Sequence, residues 1–302
     1  MNARFTPQQV EDWRRHGVAR VEHFFRPDEV AGVRADFERV FGRTEGSDAP
    51  LIKKRDGELG RFNQAQFATF DAIPFDCSPA LNLIGVHPAL IDFARTALRS
   101  DDVHLYQCQA WAKFTGDADY DQPFHCDFVN HTLTAPSDDE CLNSVTILCY
   151  FSDVSEEHGP MHYVRRTDSS TFAGPEATLH SDDALQRRLL QHERTSAAPA
   201  GSIFPYSIDV FHRGTNMTAP RGHRYAVMAC YKRASNDTIG YHAWPFHHMK
   251  PWHHIFDHAT PEQLACFGVN PPGHPFWTKT TLARAQARYP GWDLSAYRNQ
   301  TT

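Results

Sequence analysis

The chain of 302 residues carries a net charge of −6 and has a pI of about 6.3. Hydrophobic residues make up 41% of it and charged residues 22%, a balance that allows a sizeable core and excludes general disorder. No basic block stands out, which argues against a nucleic-acid partner, and no apolar run is long enough to cross a membrane. We therefore expect a globular protein that binds neither nucleic acid nor a membrane.

The seven cysteines indicate a reducing compartment. Their number is odd and no two of them form a CxxC pair, so a disulfide framework is not expected. The N-terminal residues lack the apolar core of a signal peptide. We expect a cytoplasmic protein, and the sequence leaves a homo-oligomer open.

The first hundred residues combine helix signals with polar loops. Thr6 and Pro7 are residue types of a helix N-cap and first turn, and Gly17 can end that helix. Two later segments place their apolar residues on one helical face. The predicted elements are a helix from Thr6 to Gly17, a strand over 18–21, a helix after Pro27, a loop-rich stretch over 43–75 and a helix over 87–98.

Further along the chain the apolar period changes to two, which predicts strands. A long strand over 103–114 puts Gln107, Gln109, Trp111 and Lys113 on one face. That polar face could meet solvent or line a wet cavity, and the sequence allows both interpretations. The other predicted strands are one through His125 and Asp127, and those over 144–151, 161–164, 201–212 and 224–231; helices are predicted over 183–191 and 280–289.

Strands between about 103 and 233, with helices before them, predict a mainly β fold with flanking helices. Their turn-punctuated spacing favours a jelly roll or sandwich as the core. We expect a single catalytic domain over 1–302. Its predicted parts are a mainly helical N-terminal part over 1–102, the jelly-roll core over 103–233 and a C-terminal lid or extension over 234–302.

His125 and Asp127 are the first candidates for a metal site. Residues two apart on a strand project from the same face, so an imidazole nitrogen and a carboxylate would reach one point. His212, from a distant predicted strand, is the candidate for the third ligand. Two histidines and one carboxylate leave three positions open on Fe(II), as in non-haem iron oxygenases, whereas zinc would usually leave one.

Such an oxygenase needs a co-substrate that supplies electrons. Arg224 begins the strand after His212. A buried arginine beside the metal can bind a dicarboxylic co-substrate through two parallel hydrogen bonds. Arg221 competes for this role, and we prefer Arg224 because Arg221 lies in a Pro-Arg-Gly turn.

With these residues the chain resembles the phytanoyl-CoA dioxygenase (PhyH) family of Fe(II)- and 2-oxoglutarate-dependent oxygenases. The resemblance covers most of the chain, and its four main functional positions occur in order. The segments that carry it are 5–21, 105–114, 125–127, 151–153, 157–161 and 212–224.

The resemblance implies a double-stranded β-helix, a cupin-like jelly roll. It implies that His125, Asp127 and His212 bind Fe(II) and that Arg224 binds the distal carboxylate of 2-oxoglutarate, with O2 as the second co-substrate. The implied reaction is hydroxylation of an unactivated C–H bond in a small organic metabolite or natural-product intermediate, with release of succinate and CO2. The other implied site residues are Thr146, Gln109 and the basic Lys113 for the co-substrate, and Phe128 and His131 for the substrate.

Two positions depart from the family pattern. Gly214 stands where the family often has a serine two residues after the distal histidine, and Thr215 is the candidate substitute. Residues 164–168 replace the family's Pro-Gly-Ser-His turn, so the conformation of that loop is not implied by the resemblance.

Two other functions remain alternatives. A cupin-like metalloprotein could perform non-oxidative or 2-oxoglutarate-independent chemistry, but it would not need Arg224 as an anchor. A non-catalytic jelly roll could bind only a metal or a small molecule, and the intact triad argues against it. The run of histidines and aromatics over 242–258 is interpreted as a lid or an oligomer contact, because Pro245 and Pro251 break any helix that would align a second metal site.

Overall fold

The computed structural model describes residues 4–41, 70–72, 75, 77–115, 121–179, 181–240, 253–257, 261, 264 and 269–299. The helices are α1 (Pro7–His16), α2 (Pro27–Phe41), α3 (Pro79–Asn82), α4 (Pro88–Leu98), α5 (Phe128–His131), α6 (Arg166–Ser169), α7 (Asp183–Gln191), α8 (His253–Phe256), α9 (Lys279–Arg288) and α10 (Ser295–Arg298). The strands are β1 (Phe70–Ala72), β2 (Val103–Phe114), β3 (Val145–Tyr150), β4 (Met161–Tyr163), β5 (Arg194–Thr195), β6 (Ile203–Ser207), β7 (His212–Gly214) and β8 (His223–Arg233).

The predicted N-terminal helices are confirmed, and local chemistry sets their ends. Thr6 caps α1 through a reciprocal capping box with Gln9, and Gly17 ends the helix in the left-handed conformation at a φ of +72°. The side chain of His87 accepts a hydrogen bond from the Ala89 amide and so caps α4. The apolar faces of α1, α2 and α4 belong to one hydrophobic cluster with the sheet.

Two antiparallel sheets form the core, with strand orders β1-β2-β8-β3-β6 and β5-β4-β7. The long strand predicted over 103–114 is confirmed as β2. The strand predicted over 18–21 consists of isolated bridges from Val18 and Val21 to β6. Residues 70–72, expected in a loop, form the edge strand β1; most of the remaining predicted loop lies outside the described residues.

One difference concerns the segment before His212. The sequence predicted a continuous strand over 201–212, but β6 ends at Ser207 and β7 begins at His212. The Val210 amide donates to the Ser207 carbonyl at 3.1 Å, so a turn separates the two strands. This turn moves the chain from the larger sheet to the smaller one.

The larger sheet is buried on both faces. Its outer face packs against the helices through alternate residues such as Ala110, Ile147 and Val227. Its inner face packs against the smaller sheet, with Leu148, Tyr150 and Phe204 in one cluster with Met161 and Tyr163. On this inner face β2 contributes Gln109 and Lys113, whose side chains are 3% and 5% exposed. The polar face of β2 therefore faces the interior of the fold at Gln109 and Lys113, whereas Gln107 and Trp111 on the same face are partly exposed.

The C-terminal residues form a hydrophobic cluster of their own. The predicted helix over 280–289 is confirmed as α9, and the cluster around it contains Phe256, Leu264, Phe276, Trp277, Tyr289 and Trp292. Most of the histidine-rich run over 242–258 lies outside the described residues. The division into an N-terminal part, a core and a C-terminal extension stays a prediction. Among the residues that the structure describes, no helix has the length and hydropathy needed to cross a membrane.

Candidate active site

Two histidines from distant parts of the chain meet through backbone pairing. His125 and His212 form an isolated antiparallel bridge, in which the amide of each donates to the carbonyl of the other at 3.0 Å. Their ring centroids are 4.5 Å apart. Because the backbone fixes this pairing, the two imidazoles reach the same region without any metal between them.

Asp127 reaches this point by a turn, and the expectation of a strand through both ligands was wrong. Its φ of −81° and ψ of −9° are helical, and α5 begins at the next residue. The Phe128 amide donates to the Ile208 carbonyl at 3.0 Å, which holds the turn. Oδ1 of Asp127 lies 3.8 Å from Nε2 of His125, and Oδ2 lies 3.4 Å from Nε2 of His212. One candidate ligand atom from each residue lies within 4.8 Å of the others.

Hydrogen bonds select the histidine nitrogens that face the carboxylate. Nδ1 of His125 is 2.9 Å from the Pro123 carbonyl, and Nδ1 of His212 is 3.0 Å from the Val210 carbonyl. A carbonyl oxygen can only accept, so Nδ1 carries the proton in both rings. The lone pair of each neutral ring is then on Nε2, where a metal would bind.

The charges of this metal cluster (His125, Asp127 and His212) fit a divalent cation. Burial alone would raise the pKa of the Asp127 carboxyl, but the imidazoles, His212 first, outweigh it and hold that pKa well below its usual range. Burial and then the charge of His212 together lower the pKa of His125 to about 4, with Asp127 opposing the shift. On His212 burial lowers the pKa, but Asp127 outweighs burial and raises it. The shifts of Asp127 and His125 favour a charged carboxylate and a neutral imidazole, the forms that bind a metal.

A second charged group lies on the same inner face. Lys113 of β2 and Arg224 of β8 are register partners. Nζ of Lys113 donates to the Thr215 carbonyl at 2.6 Å, and Nη1 of Arg224 donates to the Gly159 carbonyl. Nε of Arg224 is buried and has no hydrogen-bond partner. Strand β8 thus carries Nε of Arg224 into the interior as a donor without a hydrogen-bond partner among the described residues.

The two cations of the Lys113–Arg224 pair are withdrawn from solvent to different degrees, since Lys113 is buried and Arg224 is half-buried. Burial, followed by the charge of Arg224, lowers the pKa of Lys113 to about 7, with Asp121 opposing the shift. Burial also lowers the pKa of Arg224. Within the described ranges, neither side chain forms an ion pair with a carboxylate. Buried cations are costly unless they meet an anion, so the pair favours a carboxylate ligand.

A family model described as phytanoyl-CoA dioxygenase (PhyH) matches residues 13–224, more than half of the chain. The chain belongs to the phytanoyl-CoA dioxygenase family. All residues of the metal cluster and the Lys113–Arg224 pair lie within the matched region. Among curated proteins, none matches the sequence.

Three solved structures share the fold of this family member. The epimerase SnoN in complex with Fe3+, alpha ketoglutarate and nogalamycin RO is 17% identical, with a TM-score of 0.55 over 76% of this chain and 83% of its own. The non-haem alpha ketoglutarate dependent carbocyclase SnoK from nogalamycin biosynthesis is 18% identical, with a TM-score of 0.55 over 76% of this chain and 85% of its own. EctD from S. alaskensis, with 2-oxoglutarate and 5-hydroxyectoine, is 17% identical, with a TM-score of 0.57 over 78% of each chain.

The predicted fold is thereby confirmed as a mainly β jelly roll with flanking helices. Family membership and the metal cluster identify the chain as an iron- and 2-oxoglutarate-dependent enzyme. The donor set of two neutral imidazole nitrogens and one carboxylate suits iron with open positions. The unsatisfied Arg224 suits a dicarboxylate.

The remaining positions implied for the co-substrate are buried in this family member's interior. Gln109 and Thr146 both lie on the inner face, and the Thr146 hydroxyl donates to Sγ of Cys230 at 3.6 Å. Arg221 is exposed in its turn, whereas Arg224 reaches the Gly159 carbonyl. The structure thus groups Arg224, and not Arg221, with the buried cations.

The two positions implied for the substrate differ in their surroundings. Phe128 is fully buried in a cluster with Phe124 and Phe211, so packing accounts for its ring. His131 is 4% exposed, and its Nδ1 shares a hydrogen bond with the Tyr106 hydroxyl. Burial lowers the pKa of His131, and the Asp127 carboxylate acts against that shift. His131 is therefore better placed than Phe128 to offer a polar contact beside the metal cluster.

Both departures from the family pattern have a structural account. The Thr215 hydroxyl donates to the Pro160 carbonyl at 2.7 Å, which holds the chain after Gly214 to the turn before β4. The segment over 164–168 forms the start of α6 at Arg166 after the Val164 amide donates to the Phe211 carbonyl. The replaced turn is therefore a short helix.

Sequence reasoning missed two interactions that support the metal cluster. The Tyr206 hydroxyl donates to Oδ2 of Asp127 at 3.1 Å. Arg166 donates to both carboxylate oxygens of Asp209, from Nε at 3.0 Å and from Nη2 at 2.7 Å, and so holds the turn that precedes His212. Alternation along β6 could have placed Tyr206 on the inner face, but no sequence signal linked it to Asp127.

Proposed function

We propose that this enzyme is a dioxygenase that hydroxylates an unactivated C–H bond of a small organic metabolite or natural-product intermediate. One observation carries the proposal: the metal cluster and the unpaired Lys113–Arg224 cations share the interior of one jelly roll. 2-Oxoglutarate has a keto acid at one end for a metal and a carboxylate at the other for the cations. The two groups of residues match these two ends.

In this proposal His125 and His212 hold the iron through Nε2, and Asp127 holds it through its carboxylate. When bound, the iron with 2-oxoglutarate activates O2 and supplies the oxidant for the C–H bond, with release of succinate and CO2. Arg224 and Lys113 bind the distal carboxylate, and Gln109 and Thr146 line the co-substrate. Their burial excludes bulk water from the reacting groups.

His131 is our candidate for a substrate contact, with Phe128 as the weaker one. The lowered pKa of His131 keeps its ring neutral, so it can donate or accept a hydrogen bond from a polar substrate. Structural neighbours include an epimerase and a carbocyclase, so the same fold supports several oxidative outcomes. The complex of EctD with 5-hydroxyectoine supports hydroxylation as our choice among them.

An anaerobic titration tests the co-substrate assignment. Fe(II) and then 2-oxoglutarate are added, and the visible charge-transfer band of the chelate is followed. We expect a band in the native chain and a 2-oxoglutarate affinity at least about tenfold lower in Arg224→Ala, because hydrogen bonds to charged groups contribute about 1.5–3 kcal/mol each. Arg221→Ala is the matched control, since this exposed neighbour should leave the affinity unchanged.

The outcome also separates the alternatives. Fe(II) binding without a 2-oxoglutarate band would favour a cupin-like metalloprotein with other chemistry. Absence of metal binding would favour a non-catalytic jelly roll. If the band appears, a substrate screen scored by succinate release follows, and mass analysis of the product distinguishes a gain of one oxygen from an isomer or a loss of two hydrogens.

We keep the cytoplasm as the expected location. Among the described residues, the five buried cysteines have free thiols: Cys108, Cys126, Cys141, Cys149 and Cys230. Free buried thiols are typical of a reducing compartment. Labelling the thiols of the protein in freshly lysed cells would show whether they are reduced in place.

A further inference from the structure

Tyr206 contacts two of the three residues of the metal cluster. Its hydroxyl donates to Oδ2 of Asp127 at 3.1 Å, and its ring lies beside that of His212 with the centroids 5.0 Å apart. The side chain is 2% exposed. The other carboxylate oxygen of Asp127, Oδ1, faces Nε2 of His125 at 3.8 Å and receives no hydrogen bond from the part of the chain that the structure describes.

The backbone around Tyr206 is fixed on both sides. Tyr206 is the register partner of Thr146 on β3, and an isolated bridge joins it to Val18 on the other edge of β6. The Ser207 amide next to it donates to the Gly17 carbonyl at 2.8 Å. A side chain on such a rigid element holds its contacts within a narrow range of positions.

We propose that Tyr206 is a positioning residue of the metal site, which fixes the Asp127 carboxylate and braces the His212 ring. The inference rests on the proposed function, because it takes the metal cluster to be the iron site. A carboxylate turns readily about its last torsion and can offer one oxygen or two. A hydrogen bond to Oδ2 leaves Oδ1 as the oxygen for the metal, which keeps three positions open for 2-oxoglutarate and O2.

Tyr206→Phe removes the hydroxyl and keeps the ring. Partners of this kind, which orient metal ligands, typically affect metal affinity or activity by about 10- to 100-fold. We therefore expect the Kd for metal to rise by at least about tenfold in Tyr206→Phe. The experiment is an anaerobic titration of the metal-free chain with Co(II), whose visible absorption reports ligand number and geometry, followed by competition with Fe(II).

Tyr150→Phe is the matched control. Tyr150 lies on β3 on the same inner face and is fully buried, but its hydroxyl bonds to Ser196 at 2.7 Å and not to the metal cluster. It should leave the Co(II) affinity and spectrum unchanged. Incorporation of 4-aminophenylalanine at position 206 restores a hydrogen-bond donor, so it should recover the affinity; it also keeps the test informative if the phenylalanine variant folds poorly.

The outcomes distinguish a failure of this inference from a failure of the proposed function. Unchanged Co(II) affinity and spectrum in Tyr206→Phe would show that Tyr206 only packs. An equal loss of affinity in Tyr150→Phe would show a general effect of lost hydroxyls. Either outcome overturns this inference and leaves the proposed function standing. A native chain that binds neither Co(II) nor Fe(II) would overturn the proposed function, and this inference with it.

Discussion

The metal cluster and the Lys113–Arg224 pair are both charged, and each combines buried residues with a half-buried one, His125 or Arg224, but their charges are balanced differently. In the metal cluster, the Asp127 carboxylate is faced by two imidazoles and accepts a hydrogen bond from Tyr206. Among the described residues, the Lys113–Arg224 pair has carbonyl oxygens as its hydrogen-bond partners, and Nε of Arg224 has no partner. Backbone pairing assembles the first group, whereas we propose that an anion completes the second.

This contrast separates two ways of building a binding site. The metal cluster is preorganised, because backbone pairing and hydrogen bonds set its geometry before any ligand arrives. In our proposal, the desolvation of the cation pair is unfavourable until a carboxylate binds to it. Substitutions in the two groups should therefore change stability in different directions, even though both weaken ligand binding.

The largest expected effect is on metal binding, in Asp127→Asn. The substitution keeps the size of the side chain and removes the anionic ligand. We expect the Fe(II) affinity to fall by more than about 100-fold, the upper end of the range for residues that only orient ligands. Competition with a coloured Fe(II) chelator under anaerobic conditions measures the change. An Fe(II) affinity within a few-fold of the native value would remove Asp127 from the ligand set.

A third cation, the half-buried Arg288 of α9, sharpens the comparison. Its Nη1 donates to the Thr132 and Thr134 carbonyls at 2.5 and 3.3 Å, and its Nη2 donates to the Val129 carbonyl at 2.9 Å. The guanidinium also lies 5.7 Å from the centroid of the Phe128 ring. Arg288 thus ties the C-terminal helix to the segment that follows Asp127, and its donors are satisfied without a ligand.

Arg288→Met and Arg224→Met should therefore have different effects on the metal-free chain. Arg288→Met leaves buried carbonyls without donors, so we expect the free energy of unfolding to fall by about 3 kcal/mol, at about 1–3 kcal/mol for each unsatisfied group. Arg224→Met removes an uncompensated charge, and we expect a change of less than about 1 kcal/mol or a small gain. Urea unfolding of both variants measures the difference. Equal losses would show that Arg224 is already balanced without 2-oxoglutarate.

Sequence reasoning found the residues of the metal cluster but not the backbone that assembles them. His125 and Asp127 were expected on one strand, yet the carboxylate arrives through a turn into α5. Both geometries bring the two side chains together, so the motif alone could not distinguish them. The hydrogen bond from the Phe128 amide to the Ile208 carbonyl holds the turn, and it joins residues far apart in the chain.

Alternation along β2 predicted that Gln109 and Lys113 lie on the same face of the strand. It did not predict whether that face is the inner or the outer face of the sheet. That side depends on which face the helices cover, a tertiary fact that periodicity does not contain. The contacts of Tyr206 with Asp127 and of Arg288 with Thr132 span 79 and 156 residues. Local patterns carry no information on such pairs, which is why the supporting residues were missed while the helices and most of the core strands were found.

The last expected effect is a pH dependence that originates from Lys113. Its pKa of about 7 in the folded chain lies well below the unfolded value of about 10.4. The unfolded state therefore binds more protons between these values, and the stability contributed by this group rises as pH increases from about 7 to about 10. In Lys113→Met this rise should disappear. Thermal unfolding of the metal-free chain across that range, compared with the native chain, measures it.

The affinity for 2-oxoglutarate should fall as pH rises, opposite to the trend in stability, because both depend on the protonation of Lys113. Only the protonated amine attracts a carboxylate, so we expect the 2-oxoglutarate affinity to fall by up to about tenfold as pH rises from 6.5 to 8.5, the equivalent of one weakened charged hydrogen bond. Lys113→Met should bind 2-oxoglutarate more weakly and with a flatter pH profile. The charge-transfer band of the chelate measures both. A variant with the native affinity and the native profile would leave Arg224 as the sole anchor of the carboxylate and would reduce Lys113 to its hydrogen bond with Thr215.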